Sequence, residues 1–249
     1  MIKRDALVDV LNAFLEVDKF RDDTYNGLQV EGKENITKIG FSVDSSLEVY
    51  ERAIELKCDM LIVHHALIWG GIKRITGINR KRIKTLLEND LNLYVCHLPL
   101  DKHKEVGNNA NLIKILGGEI DRDALEAGYV MKTENRSVKS IIDIIKEKIN
   151  KRTRTYLFGD DKITELAVIS GGMSVSTYEK LISEGIKNIF TGELFGDSMF
   201  YHQMKEDKVN MILAGHYETE IICIRMLMEW INNKFTKQTE TILIDIPNI

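Results

Sequence analysis

Short apolar runs alternate with amphipathic segments along this chain. Met60-Leu61-Ile62-Val63, Leu91-Asn92-Leu93-Tyr94-Val95-Cys96 and Val209-Asn210-Met211-Ile212-Leu213-Ala214 are short and largely apolar, the pattern of strands buried on both faces. Residues 38–44 and 166–172 read as strands ending in a tight turn, residues 28–30 and 156–158 as short strands before polar turns, and residues 241–246 as a last strand that pairs back onto a formed sheet. Between the runs the apolar period lengthens. Residues 5–17 set Leu7, Val8, Leu11, Phe14 and Leu15 on one helical face, and residues 137–149 do the same with Ile141, Ile142, Ile144, Ile145 and Ile149. Segments 46–57 and 174–185 each follow a serine able to cap a first turn, and Gly185 supplies a stop. Helices are also expected over 79–89, 106–116, 197–208 and 220–235. Strands alternating with helices give an α/β class with mostly parallel sheets flanked by helices and right-handed crossovers.

The two halves of the chain match in kind. At an offset of 128, Tyr50 falls on Tyr178, segment 38–44 on 166–172, and Met60–His65 on 188–193, ending in Gly192-Glu193. Beyond a shorter loop the offset becomes 119, which sets His97 on His216 and Asp101 on Glu220. The pattern predicts two linked α/β domains built from a duplicated unit: residues 1–125 with 222–249, and residues 126–221, the tail returning to the first domain. Matched strand ends from the two halves are then expected to supply one cleft.

Bulk properties narrow the class. The chain has 249 residues, 44% of them hydrophobic and 29% charged, enough for a real core and unlike a disordered segment. A net charge of −4 does not favour a nucleic-acid binder, although basic runs occur at 80–84 and 151–154. No apolar stretch reaches the length of a membrane span and the first residues carry no leader-like core. Cys58, Cys96 and Cys223 are scattered and lack metal or redox spacing. These features predict a cytoplasmic protein with reduced thiols.

The candidate chemistry lies in the histidines. His64-His65, His97 and His216 each follow an apolar run, at the carboxyl ends where α/β sheets place their ligands. Two of the three runs carry a carboxylate four residues later, Asp101 and Glu220. Imidazole and carboxylate are donors to zinc, iron, manganese, cobalt and nickel, so the pattern predicts a metal site. Adjacent strand residues point to opposite faces, and His64 and His65 can share a site only if the strand ends before them. By the repeat, His97 and Glu193 are counterparts of His216 and His65. Gly70-Gly71 and Gly171-Gly172 read as turn glycines, Lys73, Arg74, Lys102 and Lys104 as cations near strand ends, His103 as a loop residue and His202 as helix surface.

In order, the chain carries Asn26-Gly27-Leu28-Gln29-Val30, His64-His65-Ala66-Leu67-Ile68-Trp69, His97-Leu98-Pro99-Leu100-Asp101, Gly107-Asn108-Asn109, Thr191-Gly192-Glu193 and Gly215-His216-Tyr217-x-Thr219-Glu220. As a set these motifs resemble the Nif-three-like family, whose members are also described as homologues of GTP cyclohydrolase I type 2. The resemblance implies a ring-shaped homohexamer and two divalent cations held by His64, His65, Asp101, His216 and Glu220, with Glu220 bridging and His97 and Glu193 standing behind the ligands. It also implies a metal-dependent hydrolase that opens the GTP ring and releases formate. Two other classes remain open: a metal-binding, metal-delivering or regulatory interaction protein without turnover, and a nucleic-acid binder. No catalytic residue is singled out beyond the ligands.

Overall fold

The apolar runs form strands because β-branched and aromatic residues fill both faces of a covered sheet. The computed structural model describes residues 1–72, 74–125 and 127–248; Lys73 lies outside them. In chain order the elements begin with β1 (Ile2–Lys3), α1 (Arg4–Leu15), β2 (Gly27–Val30), β3 (Asn35–Ile36), β4 (Lys38–Ser42), α2 (Leu47–Glu55), β5 (Met60–Val63), α3 (Gly77–Glu88), β6 (Asn92–Val95) and α4 (Leu98–Lys102). They continue with α5 (Asn108–Ile115), β7 (Ile120–Ala124), β8 (Gly128–Ser137), α6 (Val138–Lys148), β9 (Arg154–Leu157), β10 (Lys162–Met173), α7 (Val175–Ser183), β11 (Asn188–Leu194), α8 (Tyr201–Glu206), β12 (Asn210–Leu213), α9 (His216–Lys234) and β13 (Glu240–Leu243).

The chain divides into two units, Met1–Leu100 with Cys223–Ile249, and Asp101–Ile222. The first border therefore lies ahead of the division at 125/126 expected from sequence. Helix α5 accounts for the difference, because Ala110, Leu112 and Ile113 enter the core of the second unit.

In the first unit the sheet order is β13-β4-β5-β6-β2, parallel except for the β6–β2 edge. Strand period two sorts its faces. Leu61 and Val63 of β5 and Leu93 and Val95 of β6 pack with Val49, Tyr50 and Ala53 of α2 and Leu86 of α3. Helix α1 buries Leu7, Leu11 and Leu15, and its Phe14 stacks on Trp230 of α9 with ring centroids 3.8 Å apart. The final strand pairs parallel with β4, as its position in the chain suggested.

In the second unit the order is β7-β8-β10-β11-β12-β9. Its centre, β10-β11-β12, is parallel and its outer pairings are antiparallel. Leu166, Val168, Phe190 and Ile212 face α5 and α6, while Ala167, Ile169, Ile189, Met211 and Leu213 face α7 and α8. Three parallel strands with an antiparallel strand beside the last thus recur: β4-β5-β6-β2 in one unit, β10-β11-β12-β9 in the other.

A pair of asparagines marks the same repeat. Asn92 opens β6, and its amide holds Gly32 N, Lys33 O and Asp59 O at 2.8–2.9 Å. Asn210 opens β12 and holds Gly159 N at 3.0 Å and Asp160 O at 2.9 Å. This sets the offset along the strand at 118, one less than the histidine match gave. His97 is therefore level with Gly215, and His216 comes one residue later. Among the described residues no helix is long and apolar enough to cross a membrane.

Candidate metal centre

In the first unit β5 ends at Val63, and the backbone turns at once. The N–H groups of His64 and His65 both donate to Val43 O, at 3.0 and 2.8 Å. Strand alternation has stopped, and the two imidazoles come together with ring centroids 5.0 Å apart. His97 follows β6 and its ring lies 5.1 Å from that of His64 and 6.0 Å from that of His65. One ring nitrogen of each of the three lies within 4.8 Å of the others, an arrangement able to hold a metal ion. Trp69 stands edge-on to His97 at 5.0 Å.

Each of these rings is fixed through Nδ1. His64 Nδ1 donates to Cys96 O at 2.9 Å, His65 Nδ1 to Asp44 Oδ1 at 2.7 Å, and His97 Nδ1 to Asp22 Oδ1 at 3.0 Å. Carbonyl and carboxylate oxygens can only accept, so Nδ1 carries a proton and Nε2 is the ring nitrogen left to face a ligand. Burial pushes the Asp22 carboxyl up, but His97, the Asn26 amide and the Leu98 N–H outweigh it and bring it down to about 2.

In the second unit α9 begins at His216, four residues earlier than the pattern placed it. Gly215 (φ +96°) turns the chain out of β12 and into the helix. His216 and Glu220 then share one face of the first turns, as their spacing requires. His216 Nδ1 lies 2.7 Å from Glu193 Oε1, and His216 Nε2 lies 3.1 Å from Glu220 Oε2. Asp101 and Glu220 are only 6% and 3% exposed, depths at which a carboxylate needs hydrogen bonds or a cation. Asp101 Oδ1 accepts from Asn108 Nδ2 at 2.8 Å and Ser170 Oγ at 2.9 Å.

Gly171 makes room for this group. A register shift in β10 between Ile169 and Gly172 turns the backbone, and Gly171 takes φ +66°. Its N–H donates to Thr219 Oγ1 at 3.0 Å. A Cβ at this position would stand 2.0 Å from Glu220 Oε1 and 3.2 Å from His216 Nε2. The residue expected to be an ordinary turn glycine is thus the wall against which the His216–Glu220 pair is laid.

Other candidates separate from the donors. His103 Nδ1 accepts from the N–H groups of Glu105 and Val106, both at 3.2 Å, which ties down a turn. His202 is exposed on α8, against Tyr201. Lys102, read from sequence as a cation near a strand end, pairs with Asp123 at 2.9 Å and donates to Gly128 O at 2.8 Å. Cys58, Cys96 and Cys223 are buried and joined by no disulfide. Sequence reasoning missed Asp22, Asp44 and Ser170, which hold the donors from segments remote in the chain. It quoted Asn108 and Thr219 within motifs but gave neither a task.

A family model described as Duf34/NIF3 (NGG1p interacting factor 3) matches residues 2–248. The chain belongs to the DUF34/NIF3 family. Relatives named "GTP cyclohydrolase 1 type 2 homolog" include a Pyrococcus abyssi protein, 38% identical over 99% of both chains, and one from Escherichia coli K12, 35% identical over 99% of both. Among solved family structures, protein ybgI, titled as of unknown function, superimposes with a TM-score of 0.89 at 33% identity over 99% of both chains. Reduced HcgD from Methanocaldococcus jannaschii superimposes with a TM-score of 0.88 at 27% identity over 98% of both. The resemblance carried by the six motifs is thereby established for the whole chain.

Proposed function

We propose that this family member is a metal-dependent hydrolase acting on a nucleotide, with two divalent cations held by His64, His65, Asp101, His216 and Glu220. One observation carries the reading. The imidazoles of His64, His65 and His216 are each anchored through Nδ1 to an oxygen: Cys96 O, Asp44 and Glu193. Outer carbonyls and carboxylates that orient a ligand histidine in this way are the usual companions of a metal. The donors fit the group: imidazoles oriented through Nδ1, buried carboxylates, and a glycine that yields space beside Glu220. Such a set suits zinc, iron, manganese, cobalt or nickel.

Bound there, a pair of divalent ions would supply Lewis acidity and activate water at neutral pH. The protein's own part is positional. Asp44 and the Cys96 carbonyl fix the first unit's rings. Glu193 fixes His216, and Asn108 and Ser170 orient Asp101. The relatives' name supplies the candidate reaction, hydrolytic opening of the GTP imidazole ring at carbon 8 with loss of formate. A second reading, metal carriage or regulatory interaction without turnover, draws on the family description, which names an interacting factor and not a reaction.

Metal-loaded protein incubated with GTP should release formate and a ring-opened product, and Asp101→Asn and Glu220→Gln should abolish both. No formate from fully loaded protein would remove the catalytic reading and leave the second.

A further inference from the structure

We propose that Phe195 is a stacking platform for a flat heteroaromatic ring, the base of a nucleotide, beside the His216–Glu220 pair. The proposal deepens the nucleotide reading above and rests on it. Phe195 follows β11 and is 56% exposed, while its neighbour Leu194 is buried. Period two sets Glu193 and Phe195 on the same side of the strand end. Glu193 holds the His216 ring through Nδ1. A Cβ on Gly172 would lie 2.8 Å from Phe195 Cζ and 3.4 Å from His216 Cε1. The missing side chain at Gly172 is what lets the phenyl ring and the imidazole border the same space.

Leaving a phenylalanine in water forgoes the burial that makes aromatic residues useful to a fold. The position is nonetheless well fixed. Phe195 N–H donates to Met173 O at 3.2 Å, and Gly196 (φ +75°) turns the chain away immediately afterwards. An open phenyl face beside metal-type donors suits a small planar ring, because every base offers a π-face and stacking tolerates differences in edge chemistry.

The test uses the metal-loaded full chain, with guanosine and GTP as probes in calorimetric titrations and elemental analysis of the same samples. Phe195→Ala should weaken both probes about tenfold or more, the size of one lost base–aromatic stack. Phe195→Trp should bind them close to the wild type, and both variants should keep the wild-type metal content. Guanosine binding unchanged in Phe195→Ala overturns the platform. So does a wild type that carries metal yet binds neither probe, which leaves the metal reading standing. A wild type that takes up no metal overturns both.

Discussion

Gly171 shows how finely the centre is set at single residues. Its backbone lies in the left-handed region, and the space where a side chain would stand is filled by Glu220. Gly171→Ala combines a positive-φ penalty with a direct clash, a loss of about 2 kcal/mol or more in unfolding free energy. Because the clash falls on Glu220, metal affinity should drop along with stability. Urea unfolding and metal titration of Gly171→Ala check this; a variant with wild-type values in both would refute the role given to the glycine. Sequence reading found the histidines, since each follows an apolar run. It could not find Asp22 and Asp44, whose tasks arise only when loops remote in the chain meet His97 and His65.

Capping and strand-end polar bonds decide where the elements stop and how they pair. Ser46, Ser137 and Ser174 each accept the N–H three residues on, and two of these caps were legible as serines before apolar helical periods. Strands β7 and β8 were not legible. β7 is exposed along Ile120–Asp123, and the second half of β8 is polar, so neither shows a clean buried alternation. At the head of β5, Asp59 ties the sheet edge together. It accepts from Thr37 N at 2.8 Å, Lys38 N at 3.1 Å and Lys33 Nζ at 2.7 Å. Burial raises its carboxyl, but Lys33 and Thr37 outweigh that and hold it below the ordinary value. A depressed carboxyl contributes stability that is full above the unfolded value of about 3.9 and is lost as pH falls through the folded value. Unfolding free energy should therefore decline on acidification below about pH 4, and less steeply in Asp59→Asn; equal slopes would contradict the assignment.

Across the whole molecule the repeat was legible in outline and wrong in one detail. Matching His97 to His216 gave an offset of 119, whereas the strands follow 118 through Asn92 and Asn210. The shift traces to Gly215, the residue that turns β12 into α9 and delivers His216 one place later. Conversely, the motif set pointed to the family over nearly its full length, as the match to residues 2–248 shows. The proposed donor set for two divalent cations is His64, His65, Asp101, His216 and Glu220. Elemental analysis and calorimetric titration of the wild type, His65→Ala and Glu220→Ala with zinc and manganese put that set to the test. The wild-type chain should take up about two ions, the pair used by dinuclear hydrolases. Either substitution should weaken uptake by more than about 100-fold, beyond the usual effect of disturbing an outer partner. A wild type that binds no divalent ion, or a Glu220→Ala chain that keeps its full complement at unchanged affinity, would contradict it.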